Sequence, residues 1–124
     1  MRYITLLTAT STPDGPPPGE LMAEIARLGG QAGEAGVLLD AAGLAPSAAG
    51  ARIELSGGHV SVTDGPFTEA KELVSYAVYQ VTSKEEAVEW AGRFVDAHVA
   101  HWPGYECEVK VLKVLGPEDF GAPA

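Results

Sequence analysis

The spacing of apolar residues changes along this chain between two periods, and that change restricts the folds it can adopt. From Glu20 onward, apolar residues recur at steps of three and four, as on one face of a helix: Leu21, Ile25, Leu28, Ala32 and Ala35. A second helical stretch follows Ser83 and Glu86, whose spacing is that of a capping box. The pattern predicts helices over residues 20–34 and from residue 84 to 98 or slightly beyond.

Between the two helical stretches the apolar period is two. Residues 52–55 and 59–63 alternate polar and apolar side chains on either side of Gly57-Gly58, which predicts a β-hairpin. Three further segments are apolar and rich in β-formers and predict strands, namely 2–8, 74–81 and 106–115, and a fourth strand begins at 37–39.

The order of these elements predicts the fold class. Without the hairpin, the order is βαββαβ, which is the ferredoxin-like split-βαβ pattern. We therefore expect an α+β fold with an inserted hairpin. A length of 124 residues supports one hydrophobic core, so we expect a single domain over 1–124, with 116–124 as a C-terminal tail.

The charge balance excludes several classes of function. The eight Lys and Arg residues are scattered among seventeen Asp and Glu, giving a net charge of −9. Binding to nucleic acid or to an anionic membrane surface needs clustered cations, so we expect neither partner. The first nine residues are too short an apolar run for a signal peptide, and no run approaches the roughly 18 residues of a membrane span. We expect a cytoplasmic protein.

Cys107 is the only cysteine, so no disulfide forms within the chain. Its neighbours, Glu106 and Glu108, would raise the pKa of its thiol, which argues against a nucleophilic thiolate and favours a packed strand residue.

One motif carries a family resemblance. The run Asp64-Gly65-Pro66-Phe67-Thr68-Glu69-Ala70-Lys71-Glu72 resembles the signature of the DGPF proteins, the YCII-related family. Gly43-Leu44-Ala45-Pro46-Ser47 is similar to the Gly-Leu-x-Pro-Ser loop of that family. Four more segments resemble it in the same order: residues 3–7, 83–87, 98–104 and 118–121.

The resemblance implies a dimeric α+β barrel, in which two ferredoxin-like subunits pack sheet against sheet as a homodimer. A sheet with helices on one side leaves an apolar face that must be covered, which agrees with a dimer. The resemblance implies no established reaction, although a pocket containing His and Asp has suggested one. Smaller members carry a His on the first helix, and residues 20–34 contain none. Some relatives occur beside extracytoplasmic-function sigma factors.

The candidate catalytic residues are Asp64, His98 and His101. The two histidines are three residues apart, so on a helix they share one face and could act as general acid or base, with Asp64 orienting one of them. The alternatives are a solvated helix end that favours cations, and a turn in which Asp64 bonds its own backbone. A metal site would need a third ligand, for which Glu106 is only the nearest candidate, so we expect no metal.

Four other residues are candidates for substrate binding: Phe67, Lys71, Tyr76 and Trp102. Phe67 is also a natural core residue, and Lys71 lies with Glu69 and Glu72 in a segment that a solvated loop explains equally well. Tyr76 and Tyr79 face opposite sides of one strand, so one of them should line a pocket. Trp102 suits a pocket wall or an interface.

The sequence therefore favours a small-molecule-binding protein, or a cofactor-free enzyme that uses His/Asp acid–base chemistry in a pocket. The alternative is a non-catalytic regulatory module associated with extracytoplasmic-function sigma factors.

Overall fold

The main sheet is antiparallel and has four strands in the order β2-β5-β1-β6. The computed structural model of the chain describes residues 1–67 and 71–121. The strands of this sheet are β1 (Arg2–Ala9), β2 (Leu38–Gly43), β5 (Leu73–Gln80) and β6 (Cys107–Val114). Two helices, α1 (Gly19–Glu34) and α2 (Lys84–His101), join them, and β3 (Ala51–Ser56) with β4 (His59–Asp64) forms a separate hairpin.

This topology confirms the ferredoxin-like α+β fold. Helix α1 connects β1 to β2, and β5 lies between those two strands; α2 connects β5 to β6, and β1 lies between them. Each βαβ unit is therefore split by a strand of the other. Strand β1 is central, because it pairs with β5 on one side and with β6 on the other.

One face of the sheet packs against the helices. Strand β1 alternates along its length, with Tyr3, Thr5 and Leu7 buried on the helix side. Tyr79 of β5 lies directly opposite Tyr3 in the register and is also buried. These two rings pack with small residues of the helices, among them Ala32 of α1. The core thus lies between the sheet and the helix layer.

The opposite sheet face is apolar at its centre and polar towards its ends. Ile4 and Leu6 of β1 lie on this face, Ile4 level with Val78 of β5 and Leu112 of β6, and Leu6 level with Tyr76 and Lys110. Leu112 retains 48% of its exposure, and the other three aliphatic residues are half-buried. Because no described helix covers this face, its centre is an apolar surface in the single chain.

Helix α2 begins at Lys84, as the sequence predicts, and ends at His101, three residues beyond the predicted minimum of 98. The Glu86 N–H donates to Ser83 Oγ at 3.1 Å, while Glu86 Oε2 accepts from the N–H and the hydroxyl of Thr82. The carboxylate therefore reaches one residue further back than an ideal capping box. Helix α1 is followed by Gly36, whose φ of +74° suits a glycine stop.

The predicted hairpin is present, and it is exposed on both faces. Ile53 pairs with Val62 and Leu55 pairs with Val60, so four aliphatic side chains share one face. They keep 67–75% of their exposure. Gly57 and Gly58 have φ of +57° and +78°, as a two-residue turn of this type requires.

Strand β2 continues through residues that carry no strand signal. The sequence marks only the start of this strand, at residues 37–39, and Asp40, Ala41 and Ala42 have low β-propensity. Pairing with β5 nevertheless continues through Ala42 opposite Tyr76 and Gly43 opposite Ser75. Sheet hydrogen bonding therefore overrides local preference here. At the other end of the chain, a 3-10 turn over Pro117–Phe120 lies within the predicted tail. Neither α1 nor α2 has the length and apolar character that crossing a membrane requires.

Candidate functional site

A cavity of about 560 Å³ lies between the two helices and the sheet. Its walls come from α1 and α2, its floor from β1, β2 and β5, and the chain after β2 closes one side. Most of the lining groups are apolar. The side chains that define its shape are Leu7, Leu21, Ile25, Leu28, Trp90, Phe94 and Trp102.

The lining contains no charged side chain. The described residues around the cavity include no Lys, Arg, Asp or Glu. The polar groups are hydroxyls, ring nitrogens and one imidazole. Thr5 uses its hydroxyl to donate to the Ala77 carbonyl at 3.4 Å. Burial raises the pKa of the Tyr79 phenol, which therefore stays protonated across the neutral range.

His98 is the polar residue at the end of this cavity where α2 stops. Its side chain is buried, with 7% exposure. Nδ1 lies 2.9 Å from the Phe94 carbonyl oxygen. A carbonyl oxygen only accepts hydrogen bonds, so the neutral ring carries its proton on Nδ1 and leaves a lone pair on Nε2.

Aromatic rings hold His98 in place. Phe94 meets its ring edge-on with centroids 4.8 Å apart, and Tyr105 stacks on it at 5.4 Å. Trp102 also stacks on Tyr105, at 4.1 Å and nearly parallel. Phe94, His98, Trp102 and Tyr105, here called the aromatic end of the cavity, form one contiguous ring cluster.

The structure places two of the predicted site residues at this cavity, His98 and Trp102. Trp102 lies in the wall of the cavity. Tyr76 is on a strand that lines the cavity, but it pairs with Leu6, so its ring lies on the opposite face of the sheet. The hydroxyl of Tyr76 is engaged elsewhere, because it donates to Asp40 Oδ2 at 2.8 Å. That bond raises the pKa of Tyr76.

Asp64, Phe67, Lys71 and His101 are not among the cavity residues. Lys71 is exposed, and His101 Nδ1 lies 3.8 Å from Glu20 Oε2 at the start of α1. The two histidines thus diverge, although they share one helix. His98 turns into the cavity and His101 towards α1.

Asp64 does not orient His98 within the described chain, which corrects the expected pairing. Asp64 is exposed at the end of β4, where it pairs with Ala51. The Nδ1 atom of His98 is already bonded to its own helix through Phe94. A backbone carbonyl one turn earlier therefore takes the place of the expected carboxylate.

The signature segment instead builds a loop junction. Gly65 N–H donates to the Gly50 carbonyl at 2.9 Å, and a Cβ added at Gly65 would lie 2.5 Å from the Ser47 carbonyl carbon. Phe67 N–H donates to Ser47 Oγ at 3.2 Å. Glu72 accepts from Ser47 as well. We call Ser47, Gly65, Phe67 and Glu72 the Ser47 junction.

The junction explains why the motif requires these residue types. Only glycine allows the close approach at position 65. The Arg52 guanidinium lies over the Phe67 ring, 5.0 Å from its centroid. This cation–π contact connects β3 to the same loop. Residues 68–70, including Glu69, lie outside the described part of the chain.

Cys107 is half-buried, and burial raises the pKa of its thiol. The expected direction is confirmed, but the cause is desolvation and not the two flanking glutamates. Within residues 1–67 and 71–121, no three His, Cys, Asp or Glu side chains are grouped to hold a metal ion.

Three cavity residues were not candidate site residues in the sequence, namely Thr5, Leu21 and Tyr105, whereas Tyr79 is the one of the two strand tyrosines whose ring is on the cavity side. Leu21 belongs to the apolar face of α1, and such a face predicts burial without distinguishing a packed core from a cavity wall. Tyr105 follows the Pro103-Gly104 turn, where the sequence carries no local signal that the ring folds back on His98.

Comparison with known proteins identifies a family over most of the chain. The family model of the YCII-related domain matches residues 1–109. A search of curated proteins gives no match.

Proposed function

The chain belongs to the YCII-related family, and we propose that this member binds an apolar small molecule in the cavity between its helices and its sheet. The observation that carries the proposal is an uncharged cavity of about 560 Å³ with one buried imidazole at its aromatic end. This combination of a mostly apolar lining and few oriented polar groups is typical of small-molecule sites.

The size and lining of the cavity favour a ligand of one or two rings. Protein interiors are close-packed, and a cavity of this size leaves its lining side chains without partner atoms. A ligand that fills the space restores those contacts and removes apolar surface from water, at roughly 25 cal/mol for each Å². Binding is therefore driven by burial, and the polar groups set its orientation.

Uptake of Nile red, a neutral apolar dye, tests the proposal. Gly29 of α1 lines the cavity, and a Cβ built there meets only Leu38, at 4.0 Å. We expect Gly29→Phe to fill part of the cavity and weaken dye binding at least threefold. Gly30→Phe is the matched control, since Gly30 is exposed, is not a lining residue and has open space around it.

Equal dye binding by the native protein and Gly29→Phe would contradict the proposal. It would mean that the dye sits on another apolar surface, such as the exposed aliphatic face of the hairpin. A cooperative thermal transition in both glycine variants is the control for folding.

Cofactor-free proton transfer is a second candidate function, favoured by the lone pair on His98 Nε2. An apolar site weakens competing solvation by water, and a base held there by Phe94 is already oriented for proton abstraction. Hydrogen–deuterium exchange at the C–H groups beside the carbonyl of 2-tetralone, followed by NMR, tests this. Exchange should be faster with the native protein than with His98→Gln, and equal rates would exclude His98 as the base.

We also propose that two chains associate through the sheet face whose apolar centre contains Ile4, Leu6, Val78 and Leu112. Support comes from the absence of a helix over that face in the described chain, because an apolar sheet face needs a covering layer.

A further inference from the structure

The aromatic end of the cavity has a defined hydrogen-bonding polarity. Nε2 of His98 has no hydrogen-bond partner among the described residues, and it is not an enclosed atom. Because Nδ1 is bonded to its own helix and the His98 ring lines the cavity, Nε2 is the ring nitrogen left for a ligand there. In the neutral ring, with the proton on Nδ1 bonded to the Phe94 carbonyl, Nε2 is an acceptor.

We propose that the cavity selects an uncharged, ring-containing molecule that carries one O–H or N–H group, and that this group donates to Nε2 of His98. The inference rests on the proposed function and names its ligand class. Phenols, and the enols of cyclic ketones, belong to this class.

The preference for an uncharged molecule follows from the lining. An ionised carboxylate or amine would leave water for a site that offers no opposite charge, and that transfer is costly. The described lining has no Lys or Arg for an anion and no Asp or Glu for a cation. A neutral hydroxyl gives up much less solvation and regains one hydrogen bond.

The preference for a ring follows from the cluster around the acceptor. Tyr105 stacks with both Trp102 and His98. The angle between ring planes is 10° for Trp102 and Tyr105 and 27° for His98 and Tyr105. Planar molecules pack well against such faces, by offset stacking or edge-on. A ligand ring that meets this cluster brings its substituent within reach of Nε2.

Three probes of nearly equal shape separate these requirements. 2-Naphthol has a neutral hydroxyl, 2-methoxynaphthalene replaces the donor by an ether, and 2-naphthoate carries a charge. We expect calorimetric titration of the native protein to show 2-naphthol binding about tenfold more tightly than the ether, because the ether has no donor for Nε2 and excludes the water that could supply one. 2-Naphthoate should bind more weakly still.

Variants at His98 assign the effect to one atom. His98→Phe keeps a ring of similar size and removes the acceptor, so it should abolish the preference of 2-naphthol over the ether. His98→Gln retains an acceptor at a similar reach and should restore part of it. His59→Phe is the matched control, because His59 is exposed on the hairpin, and it should leave all three affinities unchanged.

The outcomes distinguish this inference from the proposed function. Equal binding of 2-naphthol and its ether by the native protein, or tightest binding of 2-naphthoate, overturns the ligand class while Nile red uptake still supports the cavity. A preference that survives in folded His98→Phe or is lost in folded His98→Gln overturns the role of Nε2. If neither Nile red nor any naphthalene binds, both proposals fail.

Discussion

The Glu72 carboxylate accepts hydrogen bonds from both the N–H and the hydroxyl of Ser47. The Ser47 hydroxyl donates to Glu72 Oε1 at 2.7 Å, and the Ser47 N–H is shared between the two carboxylate oxygens at 3.2 and 3.3 Å. The two residues are 25 positions apart, at the start of a 3-10 turn and just before β5. The bond therefore joins the loop that follows β2 to the segment that leads into β5.

We predict that Ser47 and Glu72 are energetically coupled. Glu72→Gln removes the charge from these hydrogen bonds, and Ser47→Ala removes the stronger donor, so each should lower the free energy of unfolding by about 1–2 kcal/mol. A double-mutant cycle from urea unfolding measures the coupling, which should reach about 0.5 kcal/mol or more. Purely additive effects would show that the contact contributes no stability.

Gly65→Ala should destabilise the protein, because the added methyl group would collide with the Ser47 backbone. A backbone obstacle cannot rotate away, so we expect a loss of about 2–3 kcal/mol in thermal or urea unfolding. Gly30→Ala is the comparison. Position 30 is an exposed helical site with open space, where alanine should raise the free energy of unfolding by up to about 1 kcal/mol. An unchanged free energy of unfolding in Gly65→Ala would show that Gly65 does not approach the Ser47 backbone this closely.

The stability of the start of α2 should depend on acid pH. The side-chain and backbone hydrogen bonds from Thr82 lower the pKa of Glu86 in the folded chain. A lowered folded pKa stabilises the protein above the unfolded value of about 4.3, and the effect is lost as pH falls through the folded value. Between about pH 5 and 3, the native protein should therefore lose stability more steeply than Glu86→Gln. Melting temperatures across this range measure the difference, and Glu85→Gln should retain the native slope.

Leu112→Lys should convert the proposed dimer to a monomer. Leu112 is 48% exposed in the single chain, so the substitution costs little in folding, but a buried lysine in the sheet interface would be unpaired. Sedimentation velocity should show a smaller species for Leu112→Lys. Val99→Lys, at a position on α2 with 74% exposure, should sediment like the native protein. A native protein that is monomeric at micromolar concentration would contradict the interface.

Local patterns predicted most of the fold. The periodic apolar residues of α1, the capping pair at Ser83 and Glu86, and the glycine pair at 57 and 58 each encode their element within a few neighbouring residues. The end of β2 has no local signal, because Ala41 and Ala42 are held in the sheet by pairing with β5, and that pairing is not local.

The site was only partly predictable for a related reason. His98 and His101 look equivalent in the sequence, and only the packing of α2 against the sheet and α1 directs one of them into the cavity. Asp64 stood out because it begins the family signature, yet that segment contributes to the Ser47 junction. Tyr105 reaches the site through a turn whose direction no periodic pattern encodes.

The hairpin and the main sheet should differ in their stability against local unfolding. A two-stranded ribbon is marginally stable alone, and β3 and β4 pair only with each other. Their attachment depends on the Ser47 junction and on the stacking of Arg52 on Phe67. Amide protons of β3 and β4 should thus exchange with solvent through local opening, long before those of β1, which is paired on both sides. Loosening the junction would release the hairpin as a unit and leave the cavity intact.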